Sequence, residues 1–130
     1  MMVDTSVWID YINGAANWQV QRLRNAIASS STVVVTPIII QEVLQGLQDR
    51  NYQRIKNSLL SYRTVMIDPV DLAIHAAELY RTLRKKGIAV RKPNDCQIAY
   101  LAVYYGFPLL HKDRDFKHIA QHTNLVEVVR

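Results

Sequence analysis

The sequence predicts an α/β fold with a mostly parallel sheet covered on both faces, and three observations carry that expectation. Short apolar stretches that read as strands alternate with longer stretches whose apolar residues recur every three or four positions. No two-residue hairpin turn separates any pair of strands, so the connections have the length of crossovers rather than of antiparallel turns. Met1 to Val3 and Val33 to Val35 read as buried strands, which suits a sheet covered on both faces.

Met1 to Val3 reads as a short buried strand, and a helix beginning near Ser6 carries Val7, Trp8, Tyr11 and Ile12 inward. Trp18 to Ala28 is a second helix, with Val20, Leu23, Ala26 and Ile27 on one face, and Ser29-Ser30-Ser31 ends it. Val33 to Val35 is the second strand. Thr36-Pro37 then supplies a capping hydroxyl and a proline at the first helical position, opening a helix to about Leu47 that carries Glu42. A further helix spans about Tyr52 to Leu60, with Ile55, Leu59 and Leu60 inward.

Thr64 to Ile67 is the third strand, and Asp68-Pro69 starts a long helix that stops at Gly87. Its inner face is expected at Val70, Ala73, Ala76, Ala77, Tyr80 and Leu83. Pro93-Asn94-Asp95 opens a helix over Cys96 to Tyr105 that is apolar almost all round and therefore buried. Leu109-Leu110 is the fourth strand, Asp113 to Ala120 a short helix, and Leu125 to Val129 a last strand.

At 130 residues and 49% hydrophobic, residues 1–130 are expected to form a single domain. No window reaches the roughly 18 apolar residues of a membrane-spanning helix, and the N-terminus lacks the basic and apolar regions of a secretory signal. With one cysteine, Cys96, no internal disulfide can form, and a reducing cytoplasm is the expected setting. The net charge of +5 suggests a polyanionic partner.

Against that basic background the eleven acids sort by position. Asp68 and Asp71 sit at the start of a helix, where negative charge meets the positive end of the dipole. Asp49 and Glu78 read as solvated surface. Asp4 follows the first strand, Glu42 lies early in the helix after the second, Asp95 heads the buried helix, and Asp113 and Asp115 follow the fourth strand. In a parallel sheet all strand ends point the same way, so these residues can converge on one rim. Asp4 taken alone is equally a helix cap. Four carboxylates in a partly desolvated cleft require protons or a cation. Oxygen donors without a cysteine or histidine cluster favour Mg²⁺ or Mn²⁺ over zinc, and a hard ion beside a basic surface is suited to phosphodiester hydrolysis.

These residues carry a resemblance. Val3-Asp4-Thr5-Ser6-Val7-Trp8-Ile9-Asp10, Glu42 within Ile40-Gln41-Glu42-Val43, Asp95-Cys96-Gln97-Ile98-Ala99, and Leu109-Leu110-His111-Lys112-Asp113-Arg114-Asp115-Phe116 resemble, in order and spacing, the motifs of PIN-domain ribonucleases of the VapC toxin type. The resemblance covers nearly the whole chain. It implies a three-layer α/β/α sandwich with a five-stranded sheet in the order 3-2-1-4-5, Mg²⁺- or Mn²⁺-dependent RNA cleavage, a VapB-type antitoxin and a toxin homodimer. It implies Asp4, Glu42, Asp95 and Asp113 as catalytic residues, with Asp4, Asp95 and Asp113 as metal ligands. Thr5 and Ser6 resemble the family's hydroxyl pair, and Ser6 is expected to hydrogen-bond an acid or a metal-bound water. In the last motif Asp113 is favoured as the nearer ligand, and Asp115 stays an alternative.

Arg81, Arg84, Lys85, Lys86, Arg91 and Lys92 form a twelve-residue span with no acid. The first four are equally explained as a solvated helix end, whereas Arg91 and Lys92, just before Asp95, are expected to contact RNA phosphates. Trp8, Tyr11, Ile12 and Trp18 are more large apolar side chains than one short helical region easily buries, and are expected to receive the antitoxin. Cys96 reads as a small core residue, and His118 with His122 as a surface pair. Two rival readings are a metal-free module that holds RNA or protein, and an aspartyl-nucleophile phosphatase. The intact acids argue against the first. Ser6, where the second aspartate of such phosphatases would stand, argues against the other.

Overall fold

The computed structural model describes residues 1–130. Four short parallel strands, β1 (Met2–Val3), β2 (Val34–Val35), β3 (Arg63–Thr64) and β4 (Leu109–Leu110), form a sheet in the order β3-β2-β1-β4. The register pairs Met2 with Val34 on one side of β1, and Met2 with Leu109 and Val3 with Leu110 on the other. Successive strand residues point to opposite faces. Both residues of β1, β2 and β4 are fully buried, so the three inner strands are covered on both faces, as expected for β1 and β2. β3 is the edge, with Arg63 and Thr64 exposed.

The expected fifth strand over Leu125 to Val129 is reduced to one parallel bridge, Leu109 with Glu127, flanked by Leu109 N–H to Val126 O and Val128 N–H to Leu109 O, both 2.9 Å. It occupies the fifth position of the expected order. Val126 and Val129 turn outward there, which leaves too few inward side chains to extend the ladder.

The connections are helical: α1 (Thr5–Ile12), α2 (Trp18–Ala28), α3 (Pro37–Gln45), α4 (Asp49–Leu60), α5 (Pro69–Lys85), α6 (Asn94–Tyr105) and α7 (Arg114–His122). Their starts follow from capping chemistry. Asn17, Thr36, Asp68 and Asp113 each accept a backbone N–H of the following first turn. Gly106, with φ 72°, closes α6 in the left-handed conformation that glycine adopts without strain.

Three expectations about buried faces change. On α4, Ile55 and Leu59 are buried as expected, but Leu60 is 59% exposed. On α5 the inward stripe is Leu72, Ala76 and Leu83, with Leu79 partly buried, while Val70, Ala73 and Ala77 face outward. The helix offers two apolar stripes, and the one with the larger leucines takes the core because it removes more area from water. On α1, Trp8 is only 2% exposed, packed against Tyr11 and Tyr62 with ring centroids 6.1 and 5.5 Å away. It is a core residue and offers nothing to a partner. Tyr11, Ile12 and Trp18 are half-buried.

Candidate metal and nuclease site

The acids meet at the carboxyl ends of β1 and β4. Asp4 directly follows β1, and its backbone N–H donates to Leu110 O at 2.9 Å, so the central strand pair sets where its carboxylate begins. Its side chain is buried to 1% exposure and held by Ser6, whose Oγ donates to Asp4 Oδ2 at 2.6 Å and whose backbone N–H donates to the same oxygen at 3.2 Å. One oxygen thus caps α1 while the other stays free of that duty. Thr5 Oγ1 donates to Glu42 Oε1 at 2.9 Å and fixes the α3 acid relative to α1. The hydroxyl pair thus serves two different acids.

Asp95 stands in the first turn of α6 at 1% exposure, and its Oδ2 is buried with no hydrogen-bond partner. Lys92 Nζ lies 3.9 Å from that oxygen, too far for a hydrogen bond. Burial, opposed by Lys92 and reinforced by the charges of Asp4, Asp113 and Glu42, pushes the Asp95 carboxyl up to about 7. Such a carboxylate is held ready for a cation: it is costly as a bare anion, and its charge is welcome once a positive ion arrives.

Asp113 and Asp115 both enter the cluster. Carboxylate oxygens of Asp95, Asp113 and Asp115 lie within 4.8 Å of one another. Asp113 caps α7 by accepting from Asp115 N–H at 2.9 Å. Burial pushes the Asp113 carboxyl up, but the Asp115 backbone N–H, Lys92 and Arg91 outweigh it and hold it below the usual range. Asp115 is 6% exposed and accepts from Arg91 N–H at 3.2 Å and Arg91 Nε at 3.1 Å. The sequence order that favours Asp113 therefore does not separate the two in space. Asp4 belongs to the same field without joining that close trio.

The basic pair expected to meet RNA is already engaged. Arg91 donates from Nη2 to Asp113 Oδ1 at 2.9 Å while its Nε holds Asp115, and Lys92 Nζ lies 3.6 Å from Asp113 Oδ2. Burial opposes the Lys92 charge, yet Asp95, Asp4, Asp113 and Glu42 together raise its pKa. Without RNA present, the two residues expected to contact phosphates serve as the acids' counterions. Arg81, Arg84, Lys85 and Lys86 are exposed at the far end of α5.

Other contacts were not signalled by sequence. His111 accepts from Asp113 N–H through Nδ1 at 3.1 Å, which leaves Nε2–H to donate to Glu127 Oε2 at 2.7 Å. It thereby links the Asp113 loop to the last extended segment. Asp10 pairs with Lys112 and accepts from Asn17 Nδ2 at 2.8 Å, tying α1 to the β4–α7 loop; the Lys112 contact, with Asn17 behind it, keeps its pKa low against burial. Burial and the neighbouring Asp95 push the Cys96 thiol up to about 11, so it stays protonated and is no nucleophile. His118 and His122 are exposed, apart from the acid cluster.

The donors fit a hard divalent cation. They are all carboxylate oxygens, three of them close enough to share one ion, and one is a buried oxygen without a partner. Zinc would call for nitrogen or sulfur ligands.

The family model described as PIN domain matches residues 1–121. The chain is 33% identical over 129 residues to VapC ribonuclease Mb1587 of Mycobacterium bovis, and equally to ribonuclease VapC11 of Mycobacterium tuberculosis, covering 96% of this chain and 95% of each relative. Among solved structures it resembles VapBC-1 from nontypeable Haemophilus influenzae, with a TM-score of 0.73 at 20% identity, covering 98% of this chain and 95% of that one. It also resembles VapBC2 from Rickettsia felis bound to a promoter DNA fragment, with a TM-score of 0.70 at 21% identity, covering 98% and 96%. These two likenesses speak for the fold. The family match over nearly the whole length, the curated relatives and the four acid motifs on one rim agree: this chain belongs to the PIN-domain family, in its VapC branch.

Proposed function

We propose that the protein is a Mg²⁺- or Mn²⁺-dependent endoribonuclease that acts as the toxin of a toxin–antitoxin pair. The observation that carries the reading is the Asp95 carboxylate, buried beside Asp113 and Asp115 with an oxygen that no protein group satisfies. A catalytically silent RNA- or protein-binding module would gain nothing from so costly an anion. The ribonuclease names of the relatives support the same chemistry.

Asp4, Asp95 and Asp113 would hold the ion, with Asp115 beside them. Glu42, oriented by Thr5, faces the same cluster as the remaining catalytic acid. A bound divalent ion supplies Lewis acidity toward the scissile phosphate and a more acidic water. The chain's own part is positional. Ser6 locks the Asp4 carboxylate, the α7 cap locks Asp113, and burial of Asp95 keeps the site dry enough for its charges to act strongly.

The toxin–antitoxin part rests on the VapBC complexes among the structural neighbours. A VapB-type antitoxin would meet the half-buried Tyr11, Ile12 and Trp18 and could direct an arginine at the carboxylates. A homodimer belongs to the same reading, supported by the exposed Val70 and Ile74 on α5 and Tyr104 on α6. The test is to incubate purified protein with total RNA, with and without Mg²⁺ or Mn²⁺, and map new ends. Metal-dependent cleavage lost in Asp4→Asn supports the reading, and cleavage that ignores chelator or that substitution overturns it.

A further inference from the structure

Arg91 and Lys92 lie in the segment joining α5 to α6, and the backbone of that segment is fixed. Val90 is buried, Arg91 N–H is bound to Asp115, and Pro93 restricts the conformation of Lys92. Their side chains are not fixed in the same way: Arg91 is 60% exposed and Lys92 52%. Yet their charged ends rest on Asp113, Asp115 and Asp95, the residues whose oxygens gather within 4.8 Å. A tethered cation with an exposed stem can leave the carboxylates by rotamer change alone, without moving the backbone.

We propose that Arg91 and Lys92 are built-in counterions that compete with the divalent ion for the carboxylates and pass to the RNA phosphates as substrate arrives, so that metal and RNA load cooperatively. The inference rests on the metal-dependent ribonuclease reading and adds the coupling. Without RNA the two cations quiet the acid repulsion and lower metal affinity. A polyanionic strand offers them new partners, uncovering the carboxylates as the ion enters. The site is thereby biased against holding a reactive ion until substrate is present.

The test measures Mn²⁺ binding by the electron spin resonance of free Mn²⁺, for the full chain and for Arg91→Gln with Lys92→Gln, without and with a 2′-O-methyl RNA oligonucleotide that cannot be cleaved. Lys92→Gln alone serves as a second variant, because it leaves the Arg91 contacts in place. Without RNA the variants should bind Mn²⁺ about tenfold more tightly, since a positive charge within ~4 Å of the ion's ligands is removed. RNA should tighten Mn²⁺ binding to the parent by roughly tenfold and to the double variant by much less. In chelator the double variant should melt below the parent. Mn²⁺ affinity that is unchanged or weaker in both variants would make the pair structural and overturn the inference, as would equal enhancement by RNA in parent and variant. Those results leave the nuclease reading standing if the parent still cuts RNA. Absence of Mn²⁺ binding to any of the proteins overturns both.

Discussion

Asp95→Asn should make the metal-free protein more stable at neutral pH, although it removes a charged residue from the heart of the site. Burial raises the folded-state pKa of Asp95 from the ordinary 3.8 to about 7. A raised carboxyl pKa stabilises the fold only while the group is protonated: the contribution is complete below about pH 4 and is lost as pH climbs through 7. Three units at about 1.4 kcal/mol each set a ceiling of about 4 kcal/mol, and relaxation of the neighbouring charges brings the expected loss to about 2 to 4 kcal/mol. The amide keeps the shape and cannot ionise, so the variant should show no such loss. For a chain of this length, about 4 °C of Tm accompanies each kcal/mol. Melting curves in chelator from pH 4 to 8 are the assay. Parent and variant should converge at pH 4 and separate at pH 8 with the variant higher, and saturating Mg²⁺ should lift the parent far more than the variant. Parallel curves at all pH values, or a variant that melts below the parent at pH 8, would refute the claim that Asp95 is a desolvated, unsatisfied carboxylate.

The same site predicts that Asp4→Asn abolishes RNA cleavage while melting in chelator at or above the parent, because Ser6 can still donate to an amide oxygen; a rate equal to the parent's would remove Asp4 from the chemistry. Cys96→Ala should leave the cleavage rate unchanged within a factor of about two, at a stability cost of about 1 kcal/mol for the small void, and a large rate loss would contradict the protonated thiol. Trp8→Ala should cost about 3 to 5 kcal/mol in urea titrations, as an aromatic side chain lost from a packed core does; a value near zero would return Trp8 to the surface. Trp18→Ala should weaken binding of the co-encoded antitoxin by about 2 kcal/mol if it anchors the complex, with the free protein's nuclease rate intact, and equal affinities in calorimetric titration would put the antitoxin elsewhere.

What the sequence made legible was whatever periodicity and local chemistry encode. α2 runs over the same residues that the helical spacing marks, and Thr36-Pro37 and Asp68-Pro69 announce their helices through caps. α4 begins at Asp49, ahead of the expected Tyr52, because Asp49, Arg50 and Asn51 are polar and add nothing to an apolar pattern. The inner stripe of α5 is not legible in the sequence because alanines lie on both candidate faces, and only packing against the opposing α6 decides between them. At the site, the order of the acids and the hydroxyls beside Asp4 were readable, since they follow strand ends. The bridging by Arg91 and the linkage of His111 to Glu127 were not, because each depends on how distant loops fall against one another.

The placement of β1 between β2 and β4 has a kinetic meaning. The central strand comes from residues 2 and 3, while one of its two neighbours, β4, comes from residues 109 and 110. Closing that pair spans nearly the whole chain, so the contact is of high order and slow to form compared with any helix. A ribosome makes Asp4 long before the Asp113 segment. Until β4 is made, Asp4 has no β4 beside it, and the rim that gathers the carboxylates does not exist. Assembly of the acidic cleft is thus a late event in the life of each molecule, and destabilising β4 should delay the appearance of activity more than it lowers the activity of the finished fold.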